Sequence, residues 1–364
     1  MKLSKFAKIW RSNYTTYGIV ALFFLIMTLL QMTGNLSYLM QGQLVPICVY
    51  VIMAISLNLT VGILGELSLG HAGFMSVGCF MGAVAASFVA DGSELVRLTA
   101  AVVAGALAAT VVGFLVGLPV LRLNGDYLAI VTLACGEIIK SLFINLYVAK
   151  DASGYHVNLF KKTMEVAADD MIIRGPQGIK TANVIENFTL STVLVLICLF
   201  IIFNLVGSRT GRAIMAVRDN KIAARSIGIN ITKYKMLAFV VSAAMAGAAG
   251  AVFGLSQTAV LPGKFNFNTS VLVLVFVVLG GMGNIRGSVI AATLLTVLPE
   301  QLRFLHDYRM IIYAIILILV MLARNSTALQ DLTSRWKKKF TGLLKKKKKK
   351  KTSLNTAEGG KTNG

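Results

Sequence analysis

Ionisable side chains are scarce inside the long apolar stretches of this sequence, so the few that occur there are candidates for chemistry. The run Leu57 to Phe74 holds Glu66 and His71 among Gly62, Gly65, Gly70 and Gly73. Glycines at this density interrupt a helix, and backbone groups freed at membrane depth need partners from protein or water. Ionisable groups beside such a break usually face a cavity, so Gly65, Glu66, Ser68, Gly70 and His71 are candidates for a translocation path. The competing reading is close helix packing by small residues. A second interruption, Gly280-Gly281-Met282-Gly283, lies in the later half of the chain. Broken helices in both halves of a transporter point to its path.

Between them, Asn124-Gly125-Asp126 precedes a segment containing Thr132, Glu137 and Lys140. Asn124 or Asp126 could cap a helix. Glu137 and Lys140 fall on one helical face and could pair. Asp126, Thr132 and Glu137 are nevertheless kept as path candidates, with Gln177 farther along. A third group, Ser208 to Asn230, is basic. Read as one helix, it gathers Ala216, Ala223, Ala224 and Ile227 into a small apolar strip among charges, closed by Gly228. Such a helix suits docking into a groove on a partner or lying on lipid.

The elements that must position these residues are membrane helices. The 364 residues are 56% hydrophobic and only 14% charged, too apolar for a soluble domain of this size. Several windows reach the roughly 17–25 residues needed to cross hydrocarbon. The predicted segments are 18–33, 44–61, 74–90, 98–120, 127–148, 189–206, 236–255, 271–279, 288–298 and 310–322, about ten crossings. Loop 207–235 has seven basic residues against Asp219 alone, a cytoplasmic signal. Loop 149–187 is balanced in charge and reads as external. The expectation is an all-α polytopic membrane protein with glycine-broken helices in both halves. Its parts are a basic cytoplasmic amino terminus (1–16) with a retained first helix, a membrane domain (17–324) and a disordered, lysine-rich cytoplasmic tail (325–364).

The net charge of +21 is concentrated in that tail, at Arg335, Lys337 to Lys339 and Lys345 to Lys351, and in short loops. It suits anionic lipid rather than nucleic acid. Cys48, Cys79, Cys135 and Cys198 lie in apolar stretches without metal-ligand or disulfide spacing. Gly359-Gly360-Lys361-Thr362 mimics the end of a phosphate-binding loop, but Asn355 stands where that pattern needs glycine. No nucleophile–base or metal constellation suggests an enzyme.

The basic loop resembles the coupling loop of ABC-importer permeases, in which two alanines are followed four residues later by glycine, here Ala223, Ala224 and Gly228. Ile222 replaces the usual glutamate. With Leu67 to Ala72, Gly125-Asp126-Tyr127 to Glu137, and Gly280 to Gly283, the chain resembles the branched-chain amino acid ABC-transporter permease family of the LivM type over about 45–323. Residues 148–171 look like an insertion, before Arg174 to Ile179, which resembles the family's external glycine turn.

The resemblance implies the ABC-importer permease fold in a bacterial cytoplasmic membrane, with both termini inside. It implies a second homologous permease, two ATPase subunits that bind the ATP, and an extracytoplasmic amino-acid-binding protein. This chain would itself hold no cofactor. Arg218, Asp219, Ala223, Ala224, Ile227 and Gly228 would form the ATPase-coupling loop, and alternating access would move leucine, isoleucine or valine. A zwitterion needs partners for both charges, which backbone at helix breaks can supply. A urea or short-chain amide permease of the same family, and a stand-alone secondary transporter or channel, are the alternatives.

Overall fold

The computed structural model describes residues 2–33, 38–89, 92–123, 125–151, 154–158, 171–181, 184–302 and 308–325. The tail beyond Asn325 and residues 159–170 of the expected insertion lie outside these. Residues 1–301 form one compact unit, and Leu302–Gly364 a second.

Helix α1 (Lys2–Met32) is followed by α2 (Tyr38–Asn58), which passes directly into a six-residue π-helical turn, Leu59–Leu64. After a non-helical stretch come α3 (His71–Phe88), α4 (Glu94–Val120) and α5 (Asp126–Ile144). Two strands, β1 (Tyr147–Asp151) and β2 (Gly154–Asn158), precede β3 (Met171–Arg174) and β4 (Ile179–Lys180). Then follow α6 (Phe188–Gly207), the short α7 (Arg209–Asp219) and α8 (Lys221–Ser226), and the long α9 (Ile231–Ser256). Strand β5 (Ala259–Val260), α10 (Phe267–Gly280) and α11 (Ile285–Gln301) complete the first unit. The described part of the second unit is chiefly α12 (Arg309–Asn325).

Among the described residues, six helices are long and apolar enough to cross a membrane: Met40–Leu64, His71–Phe88, Glu94–Val120, Tyr127–Ile144, Phe188–Gly207 and Ile231–Ser256. Two shorter apolar helices, Thr16–Gln31 and Phe267–Gly280, accompany them. The all-helical expectation is corrected at one place. Part of the predicted external loop 149–187, with the end of the predicted fifth helix, folds into an antiparallel sheet of order β2-β1-β3-β4-β5. Val148 pairs with Val157 and Ile173, and Ile179 with Val260. Val148 and Ile173 are β-branched and buried, which suits a pleated surface better than a continued helix.

Helices α3, α4 and α9 form the tightest packing. On α4, Ala101, Gly105, Ala109, Gly113 and Gly117 recur every fourth residue and are all buried. A Cβ on Gly247 of α9 would lie 2.3 Å from the Ala109 Cβ, and one on Gly78 of α3 would lie 1.9 Å from the Gly247 carbonyl oxygen. Lipid supplies no hydrophobic drive between helices, so contact of this closeness is what holds them together. The opposite face of α4 carries Val103, Leu107, Val111 and Leu115, all exposed. An exposed stripe of that kind belongs against lipid or another apolar surface.

Polar caps start the later helices. Asn187, Ser208, Asn220, Asn230 and Asn266 each accept from a backbone N–H in the first turn. Asn220 divides the predicted single basic helix in two, because its extended backbone ends α7 while its side chain caps α8. Helix α5 begins differently: Gly125, at φ +63, occupies its cap position, without a side-chain cap. Asn124 and the side chain of Asp126 lie outside the described residues.

Candidate functional site

The first break runs from the π turn through Gly70. All six residues of the turn are buried, and Gly65 follows at φ +78, a conformation that side chains beyond glycine disfavour. Mid-chain π turns recur at functional sites. Neighbouring helices meet backbone groups in and just after the non-helical stretch. The Leu69 N–H donates to Thr132 Oγ1 on α5 at 3.0 Å, and the Ala72 N–H to Ser270 Oγ on α10 at 3.2 Å. Gly70 lies so near α5 that a Cβ would stand 2.5 Å from the Thr132 carbonyl oxygen. Ser68 is fully buried, and its hydroxyl has no hydrogen-bond partner among the described residues.

His71 opens α3 and is buried. Its Nε2 lies 2.7 Å from Ser242 Oγ on α9, and that hydroxyl donates its proton to the Ser56 carbonyl at 2.6 Å. With the hydroxyl proton committed, Nε2–H is the donor to Ser242, and Nδ1 is left as a buried acceptor.

Glu66 is buried and shared by two lysines. Its carboxylate lies 2.5 Å from Lys235 Nζ at the start of α9 and 3.0 Å from Lys221 Nζ on α8. Lys235 is itself only 3% exposed. Removing one member of such a group leaves an uncompensated charge at high cost.

The second break is the tight turn between α10 and α11. Gly281 and Gly283 have φ +100 and +79, and a Cβ on Gly280 would lie 2.3 Å from the Ser288 nitrogen. The structure joins the two breaks. Asn58, the last residue of α2, accepts from the Gly283 N–H at 2.7 Å and donates to Ser288 Oγ at 2.9 Å.

The first break also meets the basic loop. Arg218 donates from Nη1 to the Gly62 carbonyl at 3.1 Å, and its aliphatic stem covers Gly65. The same guanidinium pairs with Asp219. On α8, Ala224 is buried while Ile222 and Ala223 are exposed, as is Ile227 at its C-terminal cap. The expected apolar strip is therefore divided, with Ala224 seating the helix and its neighbours facing outward. Gly228, at φ +83, ends the pair of helices.

Other candidates fall elsewhere. Glu137 pairs with Lys140 and accepts the Phe267 N–H at 3.1 Å, satisfying the first turn of α10. It borders a small crevice with Leu69, Gly73, Gly136 and Ser270. Gln177 is exposed in the one-turn link between β3 and β4. Asp126 is the first residue of α5. Sequence reasoning missed Asn58, Ser242, Ser270 and Ser288 as site residues. Their signal was a polar side chain within an apolar run. Lys235 counts in the sequence only as one of the seven basic residues of loop 207–235.

Residues 39–321 match the family described as "Branched-chain amino acid transport system / permease component". The chain is also similar to the high-affinity branched-chain amino acid transport system permease proteins LivM of Salmonella typhimurium strain LT2 and Escherichia coli strain K12. Each is 36% identical over 237 residues, covering 62% of this chain and 55% of the relative. The chain thus matches about half the length of these relatives.

Proposed function

The chain belongs to the branched-chain amino acid transport permease family, and from that membership we propose that it is the membrane-spanning subunit of an ATP-driven importer of leucine, isoleucine or valine. It is a multi-pass membrane protein of a transport family and not an enzyme. In this reading it pairs with a second, homologous permease, two ATPase subunits that bind ATP, and an extracytoplasmic amino-acid-binding protein. It resides in a bacterial cytoplasmic membrane with about ten crossings and both termini inside. The basic loop 207–235 and the tail 325–364 are cytoplasmic, and the sheet built from the 149–187 loop is external.

One observation carries the mechanism: Arg218, on the loop that resembles the ATPase-coupling loop, is bonded to the Gly62 carbonyl inside the first helix break. Helix α9 is 26 residues long, about 39 Å at 1.5 Å per residue. Lys235 near its start meets Glu66, and beyond its last turn the chain joins the sheet. That span supports placing the coupling helices and the sheet on opposite sides of the bilayer. Closure of the ATPases pulls α7 and α8, Arg218 and Lys221 move the π turn, and Asn58 carries the displacement to the second break. Alternating access follows from the two breaks moving together.

The path in this reading runs past Ser68, His71, Thr132 and Glu137, with Gly65, Gly70, Gly280, Gly281 and Gly283 allowing the backbone to bend. Glu66 holds the break to α8 and α9. Asp126 and Gln177 are at its margins.

The experiment is a mild-detergent pull-down of the tagged full chain from its native membrane, followed by reconstitution and uptake of labelled leucine and urea. An ATPase and a second permease in the eluate, with ATP-dependent leucine uptake, are expected. A chain isolated alone and driven by an ion gradient would replace this reading with a secondary transporter. Preference for urea would reassign the substrate alone.

A further inference from the structure

Beside the coupling helices lies a cleft of about 460 Å³ whose wall includes Lys221, a residue of the proposed transmission route, and whose placement on the cytoplasmic side rests on that reading. Four cations line it: Arg122 just past α4, Lys221 and Arg225 on α8, and Lys235 on α9. The carboxylate of Glu66 is shared by both lysines, so one negative charge faces four positive ones. The guanidinium groups of Arg122 and Arg225 have no hydrogen-bond or ion-pair partner among the described residues, and both residues are exposed.

The geometry points to an anionic phospholipid of the cytoplasmic leaflet, held through its headgroup phosphate, as the occupant of this cleft. Its position sets the depth. Arg122 follows directly on the membrane span that ends at Val120, and Ile231 begins the span of α9. The cleft therefore opens where two membrane helices reach the surface, the level of lipid phosphates. Leu121 and Ile231 provide apolar wall beside the cations, which suits a molecule whose charge continues into hydrocarbon. Guanidinium groups form paired hydrogen bonds to phosphate oxygens, and the Thr232 hydroxyl in the first turn of α9 adds a neutral donor. Basic pockets between membrane helices on this side of a bilayer are suited to anionic headgroups.

The probe is phosphatidylglycerol, offered to the purified full chain in phosphatidylcholine nanodiscs and read by native mass spectrometry. Retention of one phosphatidylglycerol is expected, with roughly fivefold lower occupancy for each of Arg122→Gln and Arg225→Gln. Arg122→Lys and Arg225→Lys should keep part of it. Gel filtration of every variant checks folding, and tight binding by the wild type with equal loss in an unfolded variant is thereby recognised. Occupancy unchanged in the folded glutamine variants overturns the proposal. So does displacement of the lipid by inorganic phosphate at equal concentration, which assigns the cleft to a free anion. Loss of a co-purifying ATPase from these variants, with lipid retention unchanged, also overturns it and makes the cleft a protein interface.

Discussion

Asn58 and Gly283 are separated by 225 positions in sequence and joined by one 2.7 Å hydrogen bond, from the glycine N–H to the asparagine side-chain oxygen. The same amide donates to Ser288 Oγ, so a single side chain fastens the π turn of the first break to the turn of the second. Gly62 is small for the same reason: a Cβ there would lie 1.9 Å from Asn58 Oδ1 and 2.1 Å from the Gly283 nitrogen.

Replacing this residue, Asn58→Leu, removes both partners' bonds at a buried site. The expected destabilisation is about 1–3 kcal/mol, read as a lowered unfolding midpoint in detergent. Gly62→Ala should fall in the same direction because the added carbon displaces the amide. Unchanged midpoints in both variants would show that the two breaks are not held together by this contact.

Arg218→Met should leave the chain folded and still associated with its ATPase, yet lower substrate uptake per ATP hydrolysed by roughly tenfold, about 1.4 kcal/mol of lost coupling. The quantity to measure is the transport-to-hydrolysis ratio in proteoliposomes. A ratio equal to wild type would remove Arg218 from the transmission route.

Glu66 and Lys235 form a buried pair, so Glu66→Gln or Lys235→Met alone should each cost about 3–5 kcal/mol. The double variant should recover part of the loss, since no isolated charge remains beyond the half-buried Lys221. A double-mutant cycle in unfolding midpoints measures this. Strict additivity would mean that the two charges do not stabilise one another.

Ile222 is 83% exposed and Ile227 is 74% exposed, while Ala224 is 2% exposed. Ile222→Asp and Ile227→Asp should therefore abolish ATPase co-purification with little effect on stability. Ala224→Arg should unfold or unseat α8 first, so its loss of binding is indirect. Comparing co-purification with unfolding midpoint separates the two effects, and full ATPase retention in the aspartate variants would place the docking surface elsewhere.

Most helices were legible because length and apolarity decide them: α2, α4, α6 and α9 match the predicted segments closely. The glycine runs at 62–73 and 280–287 marked both breaks for the same local reason. What could not be read was pairing at a distance. Nothing local to Glu66 indicates that Lys235 will neutralise it, and nothing around Asn58 names Gly283. The sheet was hidden because β4 and β5 have only two residues each, too few for an alternating pattern. Asn220 was legible as a polar residue but not as a divider, since capping α8 depends on its extended backbone as well as its side chain.

The two stripes of α4 set very different substitution tolerances on one helix. At 101, 105, 109, 113 and 117 the space ends at a methyl group or less, so the accepted alphabet there is glycine, alanine and in places serine. At 103, 107, 111 and 115, two residues away in each case, any large apolar side chain serves, because what it touches is fluid or adaptable. A saturation library of α4 should therefore show tolerance with a period of four residues, strict and permissive positions half a period apart. Polar substitutions larger than serine would be rejected on both stripes, on one by volume and on the other by the cost of leaving water.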